Sequence, residues 1–248
     1  MQGAHIMMTV FRRELKSYFE SPVAYVFMIV MLVLTGFLTF FSFTRYFDRG
    51  IADMQSFFFW IPWVFLVLVP ASTMGLWAEE RRTGTIELLL TMPITLFQAI
   101  LGKFLAAWTF MTIGLALTFP MIVTTCYLGN PDMGPIWGAY AGSVLMLGAY
   151  VAVGMLMSSM TRSQVIGFVL SALTCLLFAL AGFSPVTTMF DKWAPSWVVD
   201  AVAAVGFMSH FDSLQRGVID IGDIAYFLTV MVFMICGTHV VLDNRKSS

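Results

Sequence analysis

Charged residues are missing from six long stretches of this chain: 21–44, 54–78, 104–131, 133–161, 163–190 and 224–242. Each reaches the roughly 20 apolar residues with which an α-helix crosses a bilayer. The pattern predicts transmembrane helices near 23–44, 57–77, 105–128, 136–159, 164–183 and 223–242. Two further segments are apolar on one side only. In 7–20, MMTVFRRELKSYFE, the residues Met7, Phe11, Leu15, Tyr18 and Phe19 share one helical face, with Arg12, Lys16 and Glu20 opposite and Arg13 beside them. Such a basic amphipathic helix is expected to lie in the headgroup layer, and Ser21-Pro22 to end it. Between the fifth and sixth helices, residues 184–222 are apolar but broken by Asp200, His210, Asp212 and Arg216. The uncharged run 201–211 is too short to cross, so a short helix or re-entrant piece in the outer leaflet is expected. Trp193 and Trp197 would anchor it at the interface. The fold class that follows is an all-α membrane protein, with residues 1–248 reading as one transmembrane domain.

Composition supports lipid as the solvent. The 248 residues are 59% hydrophobic and 11% charged, whereas a soluble domain is about a quarter charged. The net charge of −1 offers nucleic acid no basic face. Cys126, Cys175 and Cys236 stand far apart in apolar runs and read as buried thiols rather than a disulfide or zinc framework. The basic residues decide the orientation. With the N-terminus inside, Arg12, Arg13, Lys16, Arg81, Arg82, Lys103, Arg162, Arg245 and Lys246 are cytoplasmic, against Arg45, Arg49, Lys192 and Arg216 outside. Both termini are therefore expected in the cytoplasm.

Asp223 opens the sixth predicted span, but no buried stretch of these helices carries an acid, a base or a charged pair, which speaks against ion-coupled carriers and pumps, whose mechanism keeps ionisable groups at mid-membrane. Three histidines assemble no Ser/His/Asp set, and His210 with Asp212 reads as a solvated turn. Gly138 and Gly142 have the GxxxG spacing that lets helices approach closely, either within the protein or across a dimer. Pro62 and Pro70 predict a kink in the second helix, with Ser72 and Thr73 placed to satisfy the freed carbonyls.

Against this background AEERRTGTIELLLTMP, residues 78–93, is conspicuous. It concentrates Glu79, Glu80, Arg81, Arg82 and Glu87 in the loop after the second helix. Gly84 is expected as N-cap of a short amphipathic helix, with Glu87 at N3 reaching back to its N–H. Such a helix at the membrane face can pass contact with a soluble partner to the spans. No GxxxxGK[ST] phosphate loop occurs, so the energy for that partner's work is expected from a separate chain. A non-transporting membrane anchor for a soluble complex is the alternative.

EERRTGTIELLLTMP followed by Gly102-Lys103-Phe104 resembles the signature of ABC-2 type permeases, especially the gliding-motility-associated group. RELKSYFESPVAYV (13–26) resembles their start, and SHFDSLQRGVIDIGDIAYF (209–227) their last external segment. The resemblance implies six transmembrane helices, an N-terminal elbow helix containing Phe11, Arg12, Arg13, Leu15 and Lys16, and a coupling helix after the second span. It places Glu79, Glu80, Arg81, Arg82, Gly84, Thr85 and Glu87 in the ATPase-facing region. It further implies paired ATPase subunits holding ATP and Mg, a second copy or a related permease, and room for an auxiliary periplasmic subunit, all at a bacterial inner membrane. Helices two and five would line the path, with Ser72, Thr73, Ser171 and Thr174 as candidates. No cofactor or metal is expected in the chain itself, and export is the implied direction.

Overall fold

Helix follows helix through the residues that the computed structural model describes, which are 2–41, 53–85, 94–190, 195–218 and 220–244, with 2–6 and 41 lacking described side chains. In chain order they are α1 (Gln2–Glu20), α2 (Pro22–Phe41), α3 (Gln55–Thr73), α4 (Gly75–Thr83), α5 (Leu96–Ala116) and α6 (Pro120–Leu128). Then come α7 (Met133–Met160), α8 (Gln164–Ala181), α9 (Ser184–Phe190), α10 (Ser196–Ala203), α11 (Phe207–Gln215) and α12 (Ile221–Asn244). Six units are long and apolar enough to cross a membrane: α2, α3 with α4, α5 with α6, α7, α8 and α12.

Local chemistry explains where these units start and break. The capping box stands not at Gly84 but at Thr95, whose hydroxyl accepts from Gln98 N–H while its own N–H donates to Gln98 Oε1. With that cap α5 begins nine residues before the predicted 105. The third span then breaks after Ala116 and resumes as α6 with Pro120 at its first turn, where a missing N–H costs nothing. Asp132 caps α7 by accepting from Gly134 N–H at 3.0 Å. At 28 residues, α7 runs about 42 Å, longer than the hydrocarbon core.

The core sits around α7, which touches α3, α4, α5, α8, α11 and α12. Met146, Leu147, Ala149, Tyr150, Val151, Ala152, Val153 and Met155 are fully buried, so this helix is apolar all round because protein surrounds it. Its small residues set the spacing. A Cβ on Gly154 would stand 2.1 Å from Thr73 Oγ1, so only glycine lets α3 lie this close. A Cβ on Gly138 would meet the Leu214 carbonyl at 2.7 Å. The GxxxG face therefore receives α11 of the same chain rather than a second copy. By contrast, α2 turns Val26, Ile29 and Val33 outward, and α8 does the same with Val165, Val169 and Leu177. Those faces match a hydrocarbon environment. The thiols divide in the same way: Cys175 is buried as expected, while Cys126 and Cys236 are exposed on outward faces.

The amphipathic helix α1 has a different partner from the one expected. Its buried face packs along α5, where the Tyr18 ring stacks on Phe110 at 4.7 Å and Phe19 meets the same ring edge-on at 5.7 Å. Val10 nests over Gly102, where a Cβ would stand 2.7 Å from its Cγ1. Phe11 and Leu15 are half-buried, while Arg12, Arg13 and Lys16 are exposed. The apolar stripe thus serves protein packing, and burial followed by the Glu14 charge pushes the Tyr18 phenol up.

Candidate functional site

The described charges of the 78–93 run are not in a loop. Glu79 to Arg82 lie on α4, which continues α3 after a break at Met74. Gly84 ends this helix as its C-cap at φ 74°, a left-handed conformation that favours glycine, in place of the expected N-cap. Glu87 and the leucines after it lie outside the described residues. Thr85 is exposed, with its hydroxyl 3.0 Å from that of Thr83.

Behind α4 is a buried amine. Lys103 of α5 is 3% exposed and its Nζ lies 2.7 Å from Glu80 Oε1, 3.6 Å from Glu14 Oε2 and 3.2 Å from the Leu76 carbonyl. The Trp77 ring lies below it at 5.1 Å, within cation–π range. One ammonium, which has three donors and no acceptor, thereby joins α1, α4 and α5. Trp77 Nε1 and Glu80 Oε2 have no hydrogen-bond partner, so the knot is not fully satisfied. This corrects the expectation of ionisable-free helices: placing the third span at 105 left Lys103 outside it as a topology marker.

Two more ties fasten α4 to the spans. Ser158 of α7 accepts from the Trp77 and Ala78 N–H groups at 3.1 Å and donates to the Met74 carbonyl at 2.8 Å. A helix start after a break leaves donors unpaired, and this hydroxyl from a distant helix supplies the acceptor. Arg81 donates to the Ser159 carbonyl at 2.7 Å. Glu79 holds Arg82 in a two-point pair at 2.6 and 3.2 Å and also accepts from Gln164 at the start of α8. The Arg82 side chain remains 65% exposed. Of the predicted group, then, Glu80 and Arg81 face inward, while Arg82, Gly84 and Thr85 form an exposed tip. Glu14, Lys103, Ser158 and Gln164 join them without having been foreseen.

The candidate path residues are packed rather than open. Thr73 and Ser171 are fully buried on either side of Gly154, with Ser171 donating to its carbonyl at 3.5 Å. Ser72 and Thr174 are half-buried. Ser72 and Thr73 both bond the Val69 carbonyl at 2.9 Å, not the Phe58 and Leu66 carbonyls that a proline four residues on leaves without a donor.

At the opposite end, the solvated-turn reading of His210 is also corrected. Its Nδ1 lies 2.7 Å from Asp223 Oδ1 and its Nε2 3.1 Å from the Ala204 carbonyl, with the ring stacked 3.9 Å over Tyr226. Ser213 donates to the other Asp223 oxygen. Serine, histidine and aspartate thus meet, but in the wrong order for a nucleophile. The hydroxyl faces the carboxylate, and both ring nitrogens are taken, so neither can accept the serine proton. The cluster clips α11 to the first turn of α12. Trp197 is exposed on α10, and Trp193 lies outside the described residues.

Six spans and a charged helix braced against them make this a multi-pass helical membrane protein. Residues 42–242 match the family described as ABC-2 family transporter protein, and the chain belongs to that family. Its members are the non-catalytic membrane components of transporters that work with ABC-type ATPase subunits. Helices α1 and α2 precede the matched region. Searching curated protein sequences returned no match.

Proposed function

We propose that the chain is the permease subunit of an ATP-driven ABC-2 exporter, in which a separate ATPase carrying ATP and Mg docks on residues 79–90. The arrangement of α4 is the observation that carries this reading: its tip is exposed, and its back is tied to α1, α5, α7 and α8. A push on the tip therefore reaches four elements at once. In this reading α1 is the elbow helix, the segment from α4 onward is the coupling region, and α3 and α8 flank the path. The basic asymmetry, nine residues against four, supports a cytoplasmic position for that end and for both termini. A second copy or a related permease pairs with the outward faces in the inner membrane, and α9 to α11 face an auxiliary periplasmic subunit.

Arg82→Glu tests the docking. The side chain is exposed and, among the described residues, tied to Glu79 on the same helix, so the melting temperature should stay within error of wild type. Copurification of the ATPase should fall several-fold, because reversing a rim charge opposes a complementary surface. Wild-type copurification and hydrolysis would instead favour the anchor reading. Topology has its own test. A cysteine placed at Asp132 should react with a membrane-impermeant maleimide from outside intact cells, and one at Thr83 only after permeabilisation; the reverse pattern overturns the orientation.

A further inference from the structure

At the end of the bundle remote from Lys103, the first turns of α3 and α7, the start of α9 and the flank of α11 line a partly open cavity of about 880 Å³. That volume lies within the range of small-ligand pockets, roughly 300–1,000 Å³. Phe59, Trp60, Phe183 and Phe211 are among its wall residues. Asp53, Asp132 and Asp212 line it against a single base, Arg216, so the described lining carries more negative than positive charge. Asp53 and Asp132 each use Oδ1 to hold a backbone N–H in the first turn of a helix. Asp212 has no such duty; it stands in the middle of α11, one turn before Arg216. Burial pushes its carboxyl up and the Arg216 charge opposes that.

Ser56 is the second, independent sign of a ligand. It lines the cavity, is 2% exposed, and its Oγ has no hydrogen-bond partner. A buried hydroxyl without a partner costs about 1–3 kcal/mol.

From these features we infer that the cavity is a binding site for an amphipathic organic cation, with an aromatic or aliphatic body and one ammonium-type charge. The aromatic walls take the body and favour a cation over their faces. The carboxylates, Asp212 foremost, take the charge. This site does not rest on the transport reading, because occupancy requires neither an ATPase nor movement.

The test uses the full chain in detergent and two probes of equal shape and opposite charge, tetraphenylphosphonium and tetraphenylborate, titrated calorimetrically. The phosphonium should bind at least about tenfold more tightly than the borate, which is the effect expected of one charged contact. Asp212→Asn should weaken the phosphonium about tenfold and leave the borate as tight as before or tighter, because the repelling charge is gone. Gln215→Trp, which fills the space from α11, should abolish phosphonium binding. Borate binding as tight as or tighter than phosphonium overturns the inference, as does no phosphonium binding or wild-type affinity in both variants. Should either variant fail to give a folded melt, the comparison of the two ions on the unmodified chain decides alone.

Discussion

Lys103→Met is expected to destabilise the protein by about 3 kcal/mol and to loosen α1 from α5. Methionine preserves the volume and apolar stem, so the effect isolates the charge. Its removal leaves Glu80, and Glu14 beside it, as carboxylates at 22% and 17% side-chain exposure without their ammonium. Breaking a buried pair from one side costs about 3–5 kcal/mol, and the residual exposure here argues for the low end. Adding Glu80→Gln should recover part of the loss, with a coupling of about 1–3 kcal/mol, because the uncompensated charge is then gone. Lys16→Met is the control. Lys16 pairs with Glu20 at 3.4 Å, with the side chains 77% and 66% exposed, and such surface pairs are worth no more than about 1 kcal/mol. Melting temperatures of wild type, Lys103→Met, Glu80→Gln, the double variant and Lys16→Met in detergent, together with protease sensitivity near residues 12–16, would check this. Equal melts for Lys103→Met and Lys16→Met would show that the knot does not hold α1.

Ser158→Ala carries the second large effect, for a different reason. The Trp77 and Ala78 amides and the Met74 carbonyl all rely on this hydroxyl, and Trp77 and Ala78 are fully buried. Water cannot replace the lost partner, and each unsatisfied buried group costs about 1–3 kcal/mol. A total loss of about 3 kcal/mol is expected, concentrated at the junction of α3 and α4. The neighbouring Ser159 supplies the comparison, since its own hydroxyl only bonds Leu156 one turn back on the same helix. Ser159→Ala should melt close to wild type. Under the docking proposed above, Ser158→Ala should leave the ATPase bound to the exposed tip while its hydrolysis becomes less dependent on this chain. If the two alanine variants melt alike, the bracing of α4 by α7 is not what holds the junction.

Both positions show where reading the chain in one dimension fails. Lys103 is visible as a charge but reads as a boundary marker, because a lone lysine beside an apolar run ordinarily faces water. What reverses that is Glu80, 23 positions earlier, together with Glu14 on another helix. Ser158 carried no signal at all: serine in an apolar helix usually bonds back to its own turn, as Ser143 and Ser159 do. His210 escapes the sequence for a similar reason, since its Asp223 partner stands at the start of the next span.

What the amino-acid order determined by itself is the number of spans and the amphipathic stripe of α1, because each depends on properties summed over neighbouring residues. Apolar length selects a span, and a period of 3.6 selects a face. The order also marked 78–93 as unusual, and its resemblance to ABC-2 permeases agrees with the family to which the chain belongs. Only the tertiary structure decided what each face meets. It turned the α1 stripe onto α5, gave the Gly138–Gly142 groove to α11, made Gly84 the end of a helix rather than its start, and placed Lys103 between two carboxylates. Periodicity says that a face will be covered, but contact energy depends on distance in space. Here the covering groups lie tens of residues away along the chain.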